Sequence, residues 1–490
     1  MKKKMNYVLL LLSIIAIFAT IWVREAYGKA TLDQIIFHMQ VPVEGTTSDI
    51  TFIIIYECFI KSILVFIGFI LLNIILSYIL KDKVKLVYKK KSINIIPFDF
   101  QSKLWFYLSL IIIGYLAVDT LNYYDVVYFA KNTFTESKFI ENNYIDPNSV
   151  DIKFPKEKKN LIYIYVESLE STYVSKELGG SFDKNLIPNL YNFAIDNTSF
   201  SHTQAFGGLY QLSDTGWTIA GMVSQTAGIP LKVSTYGKLY SKKDTFLNNA
   251  TTLGDILEKE GYNQTLLIGS DAVFGGRKAY FTSHGNYEIR DYVYAKENGR
   301  IDDDYYVFWG YEDSKLFEFA KEELNSLKEP FNLTMLTVDN HTPSGYLDEK
   351  CSHKFDNQIE SVINCTDLQL YNFVNWIKEQ PFYENTTIVI VGDHLNMDGS
   401  FIENKSNRRI YNVIINGGEA LYETNRMASS FDMFPTTLAS LNVQIEGNRL
   451  GLGTNLYSNE PTIIEKYGLD YVNDEINKKS LFYDKKFLFN

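Results

Sequence analysis

Three apolar runs crowd the first quarter of the chain, and they constrain its fold more than any other feature. Residues 7–23 are 17 uncharged positions between Lys2, Lys3 and Lys4 on one side and Arg24 on the other. Residues 62–80 are 19 more, with apolar character reaching back to Ile50 through Glu57 and Lys61. Residues 104–118 are only 15, between Lys103 and Asp119. A membrane helix needs about 20 apolar residues at about 1.5 Å each, so the first two runs qualify and the third is short. It can still cross by thinning the bilayer or by leaving Asp119 at the interface. Glu57 and Lys61 are four apart and can pair on one helix face. We read them as an ion pair at the outer interface rather than as part of an ion path. No small-residue cleavage site precedes Arg24, so the first run reads as an anchor and not as a cleaved signal.

Lysine asymmetry sets the orientation. Lys81, Lys83, Lys85, Lys89, Lys90 and Lys91 crowd the loop between the second and third runs, and three more lysines precede the first. Positive charge stays on the cytoplasmic side, so three spans leave everything after residue 120 outside the cell membrane. Cysteine placement agrees. Cys58 falls in the membrane, while Cys351 and Cys365 lie 14 apart in a polar loop of the external part, where an oxidising compartment would bridge them. Zinc is the weaker reading of that pair, because His353 is the only partner nearby. A net charge of -11 speaks against a general nucleic-acid binder, and we expect no nucleic-acid partner.

The remainder is long enough, in a 490-residue chain that is 46% hydrophobic, to bury a large core of its own. Residues 120–158 read as a connector. Beyond them, β-rich runs at 161–166, 265–268, 333–338, 387–391 and 411–415 alternate with helical patterns that include 253–260, 368–379 and 432–441. Strands alternating with helices predict an α/β domain whose central sheet is mainly parallel and flanked by helices.

In such sheets ligands gather at the carboxyl ends of strands. Glu167 follows the first predicted strand, His341 closes the run Thr337-Val-Asp-Asn-His341, and Asp393 and His394 close 387–392. A single acid after a strand is more often a helix cap than a ligand. Three segments delivering carboxylate or imidazole to one edge point to a metal site with oxygen and nitrogen ligands. Thr218 sits where a polar, glycine-containing loop (207–217) runs into an apolar helix. Backbone N–H groups there favour a phosphate, and a metal would turn the hydroxyl into a usable nucleophile. Spacing alone leaves Thr218 open to the simpler role of an N-cap.

The segments Glu167-Ser-Leu-Glu, Thr218-Ile-Ala-Gly-Met-Val, Thr337-Val-Asp-Asn-His341 and Asp393-His394 together resemble the phosphoglycerol transferase I family. These are membrane-anchored relatives of lipoteichoic acid synthase within the alkaline phosphatase and sulfatase superfamily. The likeness extends to Phe200-Ser-His-Thr-Gln, Gly228-Ile-Pro-Leu, Ser283-His-Gly, the Cys351 and Cys365 pair, Leu450-Gly-Leu-Gly, and the run from Phe37 to Gly45 in the first external loop. It implies a membrane domain at 1–119, a connector at 120–158, a sulfatase-like catalytic domain at 159–458 and a tail at 459–490. It further implies that Glu167, Thr218, Asp393 and His394 hold one divalent ion, manganese in the best-known relatives, with magnesium or zinc as alternatives. Thr218 would also be the nucleophile. His341 would hold the transferred glycerophosphate and assist proton transfer, Arg277 would bind phosphate, and Asp271 is a weaker candidate for the glycerol hydroxyls. Lipoteichoic acid synthases place a Trp two residues before that Arg, whereas this chain has Gly275. His202, His284 and His353 read as structural or surface residues.

The reaction so implied moves glycerophosphate from phosphatidylglycerol to a glycan acceptor through a glycerophospho-threonine. It would take place at a bacterial inner membrane, in a multi-pass protein with its catalytic domain on the periplasmic side. A phosphoethanolamine transferase and a lipoteichoic acid synthase-like polymerase are the enzyme alternatives, and an inactive glycan-binding protein is the non-enzyme one. A formylglycine sulfatase is disfavoured, because no cysteine lies in a Cys/Ser-x-Pro-x-Arg setting. A two-zinc phosphatase is disfavoured too, because no His has an Asp four residues before it.

Overall fold

The computed structural model describes residues 2–28, 30–41, 52–79, 85–88, 91–94, 103–233 and 246–489. Leu80, residues 42–45 of the first-loop motif, and Lys81, Lys83, Lys89 and Lys90 of the basic loop lie outside them. The chain forms two compact units, Met1–Lys29 with Thr46–Val127, and Ala30–Gly45 with Tyr128–Asn490. Residues 30–41 therefore group with the second unit, although a cut at residue 119 leaves them in the first.

In the first unit, helices cover Lys2–Tyr27, Lys61–Ile79 and Lys103–Tyr123, the second preceded by a π-helical turn at Ile55–Ile60. Met5–Glu25, Phe52–Leu76 and Trp105–Tyr123 are each long and apolar enough to cross a membrane. The third helix is longer than its apolar run because it continues through Asp119. That carboxylate is not left at a helix end: it pairs with Arg24 at 2.6 Å, and Arg24 also lies 4.1 Å from the Tyr123 ring. Glu57 and Lys61 pair at 2.5 Å. Ile63, Leu64, Leu71, Ile74 and Ile111 point outward, an apolar exterior that suits lipid and not water.

The second unit is built on a six-stranded sheet: β1 Asn160–Val166, β2 Asn263–Ile268, β3 Glu288–Arg290, β4 Phe331–Leu336, β5 Thr386–Gly392 and β6 Asn412–Ile415. Their order is β3-β2-β4-β1-β5-β6, parallel throughout except that β6 runs against β5. β1 is central and fully buried, and its period-two alternation feeds two cores. Leu161, Tyr163 and Tyr165 join Ile219, Met222 and Val223 of the helix Thr218–Ala227 on one face. Ile162, Ile164 and Val166 join Val362, Leu370 and Phe373 of the helix Gln358–Lys378 on the other.

Two expected elements shift. β4 ends at Leu336 rather than Val338, because Val338 N–H turns away to donate to Asp313 Oδ1 at 2.8 Å. The helix expected at 368–379 starts at Gln358, capped by Asn357, so Cys365 is helical and buried rather than part of a polar loop. The polar stretch around it misleads because Asp367 faces inward, where it accepts from the N–H groups of Asn189 and Leu190 at the start of the helix Pro188–Asp196. Cys351 and Cys365 are disulfide-bonded, with Cα atoms 5.8 Å apart.

Both flanks of the sequence close on this unit. Ile152–Lys153 pairs antiparallel with Gln444–Ile445. The C-terminal segment places Val472, Ile476, Tyr483 and Phe487 in the first core, and Tyr483 Oη donates to Pro230 O at 2.7 Å. The helix Leu32–Gln40, capped by Thr31, buries Phe37 against Trp217 and Phe246, with ring centroids 5.9 and 6.2 Å away.

Candidate metal and phosphate site

β1 and β5 are parallel neighbours with Val166 opposite Gly392, so the residues that follow them, Glu167 and Asp393, emerge side by side at one sheet edge. The turn after β1 puts Ser168 at φ +55°, and its N–H and that of His394 both donate to Asp393 Oδ1 at 2.8 Å. Ser168 Oγ donates to Glu167 Oε1 at 2.6 Å. His394 Nδ1 lies 2.8 Å from the Leu395 carbonyl, which can only accept, so the proton sits on Nδ1 and Nε2 presents a lone pair. That Nε2 is 3.3 Å from Asp393 Oδ2 and 3.6 Å from Glu167 Oε1.

Thr218 reaches the same point from the other side. The N-cap of its helix is Trp217, with no side-chain cap bond, so Thr218 is the first helical residue and its hydroxyl is free of the capping role. It lies half-buried, with Oγ1 3.4 Å from Glu167 Oε2. The helix can come this close because position 221 is glycine: a Cβ there would stand 2.1 Å from the Asp393 carbonyl oxygen. Gln225 Nε2 then ties the helix to β5 by donating to the carbonyls of Gly392 and Asp393.

Glu167, Asp393 and His394 each offer a ligand atom within 4.8 Å of the others, and all three are buried. Asp393 Oδ2 and His394 Nε2 are buried without a hydrogen-bond partner, a costly arrangement for a protein to keep without a cation between them. The titration behaviour says the same. Burial, and after it the charge of Glu167, pushes Asp393 up to about 7. Burial alone would raise Glu167 as well, but His394 and His341 outweigh it and hold the carboxyl below its ordinary range. Burial opposes charge on His394, yet Asp393 and Glu167 raise it. A divalent ion would relieve all three, keeping both carboxylates ionised and the imidazole neutral. Two carboxylates, an imidazole and a threonine hydroxyl suit such an ion.

Arg277 is buried beside this edge. Its Nε and Nη2 donate to the carbonyls of Phe274 and Asp271 at 3.0 and 2.9 Å, and its guanidinium lies 5.5 Å from the Phe274 ring. Burial lowers it to about 10, against the pull of Asp271 and Glu167, and it keeps its charge at neutral pH. Asp271 supports the turn: Oδ1 accepts from Val273 N–H at 2.8 Å, and its carbonyl holds Arg277. His341 donates from Nδ1 to Thr342 O at 2.9 Å and packs 4.9 Å from Trp309, which in turn lies 5.6 Å from Phe274. Glu170, the second acid of the first motif, is not at the metal edge: it accepts from Arg408 and from Asn396 N–H, securing the loop beyond His394. Sequence reasoning missed Trp309. Its one local hint is the neighbouring Gly310, at φ +152°, where a Cβ would meet Gly269 O at 2.0 Å, so only glycine lets the loop lie against the end of β2.

Residues 159–443, more than half of the chain, match the family model described as Sulfatase. The chain belongs to the sulfatase family. This sulfatase-family chain is 34% identical over 320 residues to phosphoglycerol transferase I of Escherichia coli, a match covering 62% of this chain and 40% of the relative. It thus spans about two fifths of the length of the curated relatives it matches. Among solved structures, an alkaline phosphatase superfamily protein from Vibrio parahaemolyticus superposes with a TM-score of 0.51 at 20% identity, covering 70% of this chain and 79% of that one. The lipoteichoic acid synthase LtaP from Listeria monocytogenes gives 0.48 at 20% identity, covering 66% and 82%. The family resemblance and the α/β fold read from the motifs are borne out. Membership of the sulfatase family brings no formylglycine here: Cys58 lies in an apolar helix, Cys351 and Cys365 are bonded to each other, and the residue facing the ligand cluster is Thr218.

Proposed function

We propose that this is a membrane-anchored phosphotransferase that takes glycerophosphate from phosphatidylglycerol and passes it to a glycan hydroxyl outside the cytoplasm. The observation that carries the reading is the Thr218 hydroxyl, at a helix N-terminus, 3.4 Å from a buried carboxylate whose neighbours have unpaired donor atoms. The relative's name supplies the glycerophosphate, and the disulfide and lysine asymmetry support an extracytoplasmic location.

Glu167, Thr218, Asp393 and His394 would hold one divalent ion, manganese first, with magnesium or zinc as alternatives. Bound there, it supplies positive charge to the phosphoryl oxygens and lowers the pKa of the threonine hydroxyl. Thr218 Oγ1 attacks phosphorus, the bond to the diacylglycerol oxygen breaks, and the proton given up by Thr218 is returned to that oxygen, with His341 as the carrier. A glycerophospho-threonine results. An acceptor hydroxyl then attacks the same phosphorus, the bond to Thr218 Oγ1 breaks, and the acceptor's proton passes to Oγ1 to restore the threonine hydroxyl. Arg277 and the N–H groups that open the Thr218–Ala227 helix stabilise the charge that develops in both steps. Asp271 is retained as a weaker candidate for the glycerol hydroxyls.

The test uses full-length protein, manganese and phosphatidylglycerol labelled in its headgroup. Diacylglycerol release together with a glycerophosphate mass on the peptide containing Thr218 is expected. An adduct from phosphatidylethanolamine alone would keep the site and replace the donor. No reaction with any lipid would sink the reading.

A further inference from the structure

The helix Leu32–Gln40 comes from between the first two apolar runs, yet it touches three segments that carry the site. Phe37 packs on Trp217, the residue before Thr218. Gln34 Nε2 donates to the sulfur of Met397, three residues past His394. Val41, just beyond the helix, lies against Gly276, next to Arg277, where a Cβ would be 3.8 Å from Val41 Cγ1. The helix also carries His38, half-buried, with its ring 5.9 Å from Phe274.

Phe274 is therefore shared by three groups: His38, the Arg277 guanidinium and Trp309, which leads on to His341. Arg277 can only donate hydrogen bonds, and this suits phosphate oxygens. The hydroxyls of a glycerol headgroup need acceptors. His38 is placed to be one: Nδ1 donates to the Gln34 carbonyl at 2.8 Å, which leaves Nε2 as a lone-pair acceptor with no partner among the described residues. Burial keeps the imidazole neutral, and Arg277 and His341 also disfavour its charge, although the Gln34 carbonyl pulls the other way.

We propose that the Leu32–Gln40 helix forms a wall of the active site and that His38 Nε2 accepts a hydrogen bond from a headgroup hydroxyl of the donor lipid, making it a specificity-determining residue. This rests on phosphatidylglycerol being the donor. A headgroup of the same charge without a hydroxyl would gain nothing from His38.

The experiment compares full-length wild type, His38→Phe and His38→Gln on phosphatidylglycerol and on phosphatidylethanol, whose headgroup lacks hydroxyls. Diacylglycerol release and thermal midpoint are both measured. His38→Phe keeps a ring on Phe274 and loses the acceptor, so KM for phosphatidylglycerol should rise about three- to tenfold, the size of one lost hydrogen bond. On phosphatidylethanol the variant should match wild type, and His38→Gln, which restores an acceptor, should recover most of the loss. Equal impairment on both lipids, or none on either, overturns the assignment while leaving the donor standing. A wild-type protein that cleaves neither lipid removes the donor assignment, and this inference with it.

Discussion

The two halves of the site are held in different ways. Glu167, Asp393 and His394 directly follow adjacent central strands, at most 2% exposed; backbone N–H groups and a carbonyl fix Asp393 and His394, and the Ser168 hydroxyl holds Glu167. Arg277, Trp309, His341 and His38 come from short helices and loops; Arg277, His341 and His38 each donate to a carbonyl of their own segment, and ring contacts around Phe274 join the segments. The first half must present charge at a fixed point, where a small misplacement is costly. In the reaction proposed above, the second meets a flexible headgroup, and looser support suffices. One sheet edge can thus keep its chemistry while the loops around it change what is recognised.

The sharpest way to break this division is Thr218→Ala. Turnover should fall by at least about 10,000-fold, as expected for loss of a nucleophile, with an unchanged thermal midpoint. Measurable turnover close to wild type would mean that the sheet edge binds but does not react. Chelation comes next: treated protein should lose activity and thermal stability, and both should return with a divalent ion. Asp393→Asn should weaken metal binding, followed by calorimetry, beyond the roughly 10- to 100-fold typical of a residue that only orients a ligand.

Gly221→Ala tests the close approach instead of the chemistry. A methyl 2.1 Å from the Asp393 carbonyl must push the helix back, at a cost of about 1–3 kcal/mol in a denaturant titration. On the looser side, Arg277→Lys keeps the charge but loses the planar fork, and kcat/KM should drop about tenfold with little change in stability. Another effect expected is one of pH. Burial, and then the charge of Asp214, push Asp33 up to about 7, with Lys232 opposing. A carboxyl whose folded value is raised contributes stability that is complete below its ordinary value near 3.8 and lost as pH rises through about 7. The thermal midpoint of wild type should therefore fall relative to Asp33→Asn between about pH 4 and 7 and level off above. Parallel curves would show that this carboxyl does not help seat the Leu32–Gln40 helix.

The contrast also decides what could be read from the amino-acid order. β1 and β5 are largely apolar runs, each closed by a ligand-type side chain, so these two strands and the candidate ligands after them were legible, whereas the three-residue β3 was not. Thr218 was legible as a junction, but only the backbone distinguishes the first helical residue from its cap. Cys365 was misread as part of a polar loop because Asp367, an inward-facing acid on the same helix, has its partners far away in sequence. His38 and Trp309 left no periodic trace. Their contacts join segments more than 30 residues apart, and such contacts have no local signature.

The C-terminal segment has a consequence for biogenesis. Tyr483 and Phe487 are core residues, and Lys486 pairs with Asp146 at 2.6 Å. A ribosome making this chain has long since produced the sheet and its site when it reaches them. Until then the face around Pro230 and Tyr144 stays uncovered, so the nascent domain is an unfinished body with an adhesive flank. Tyr483 and Phe487 seal it when they arrive, which makes the interval before them the period in which a chaperone has most to protect.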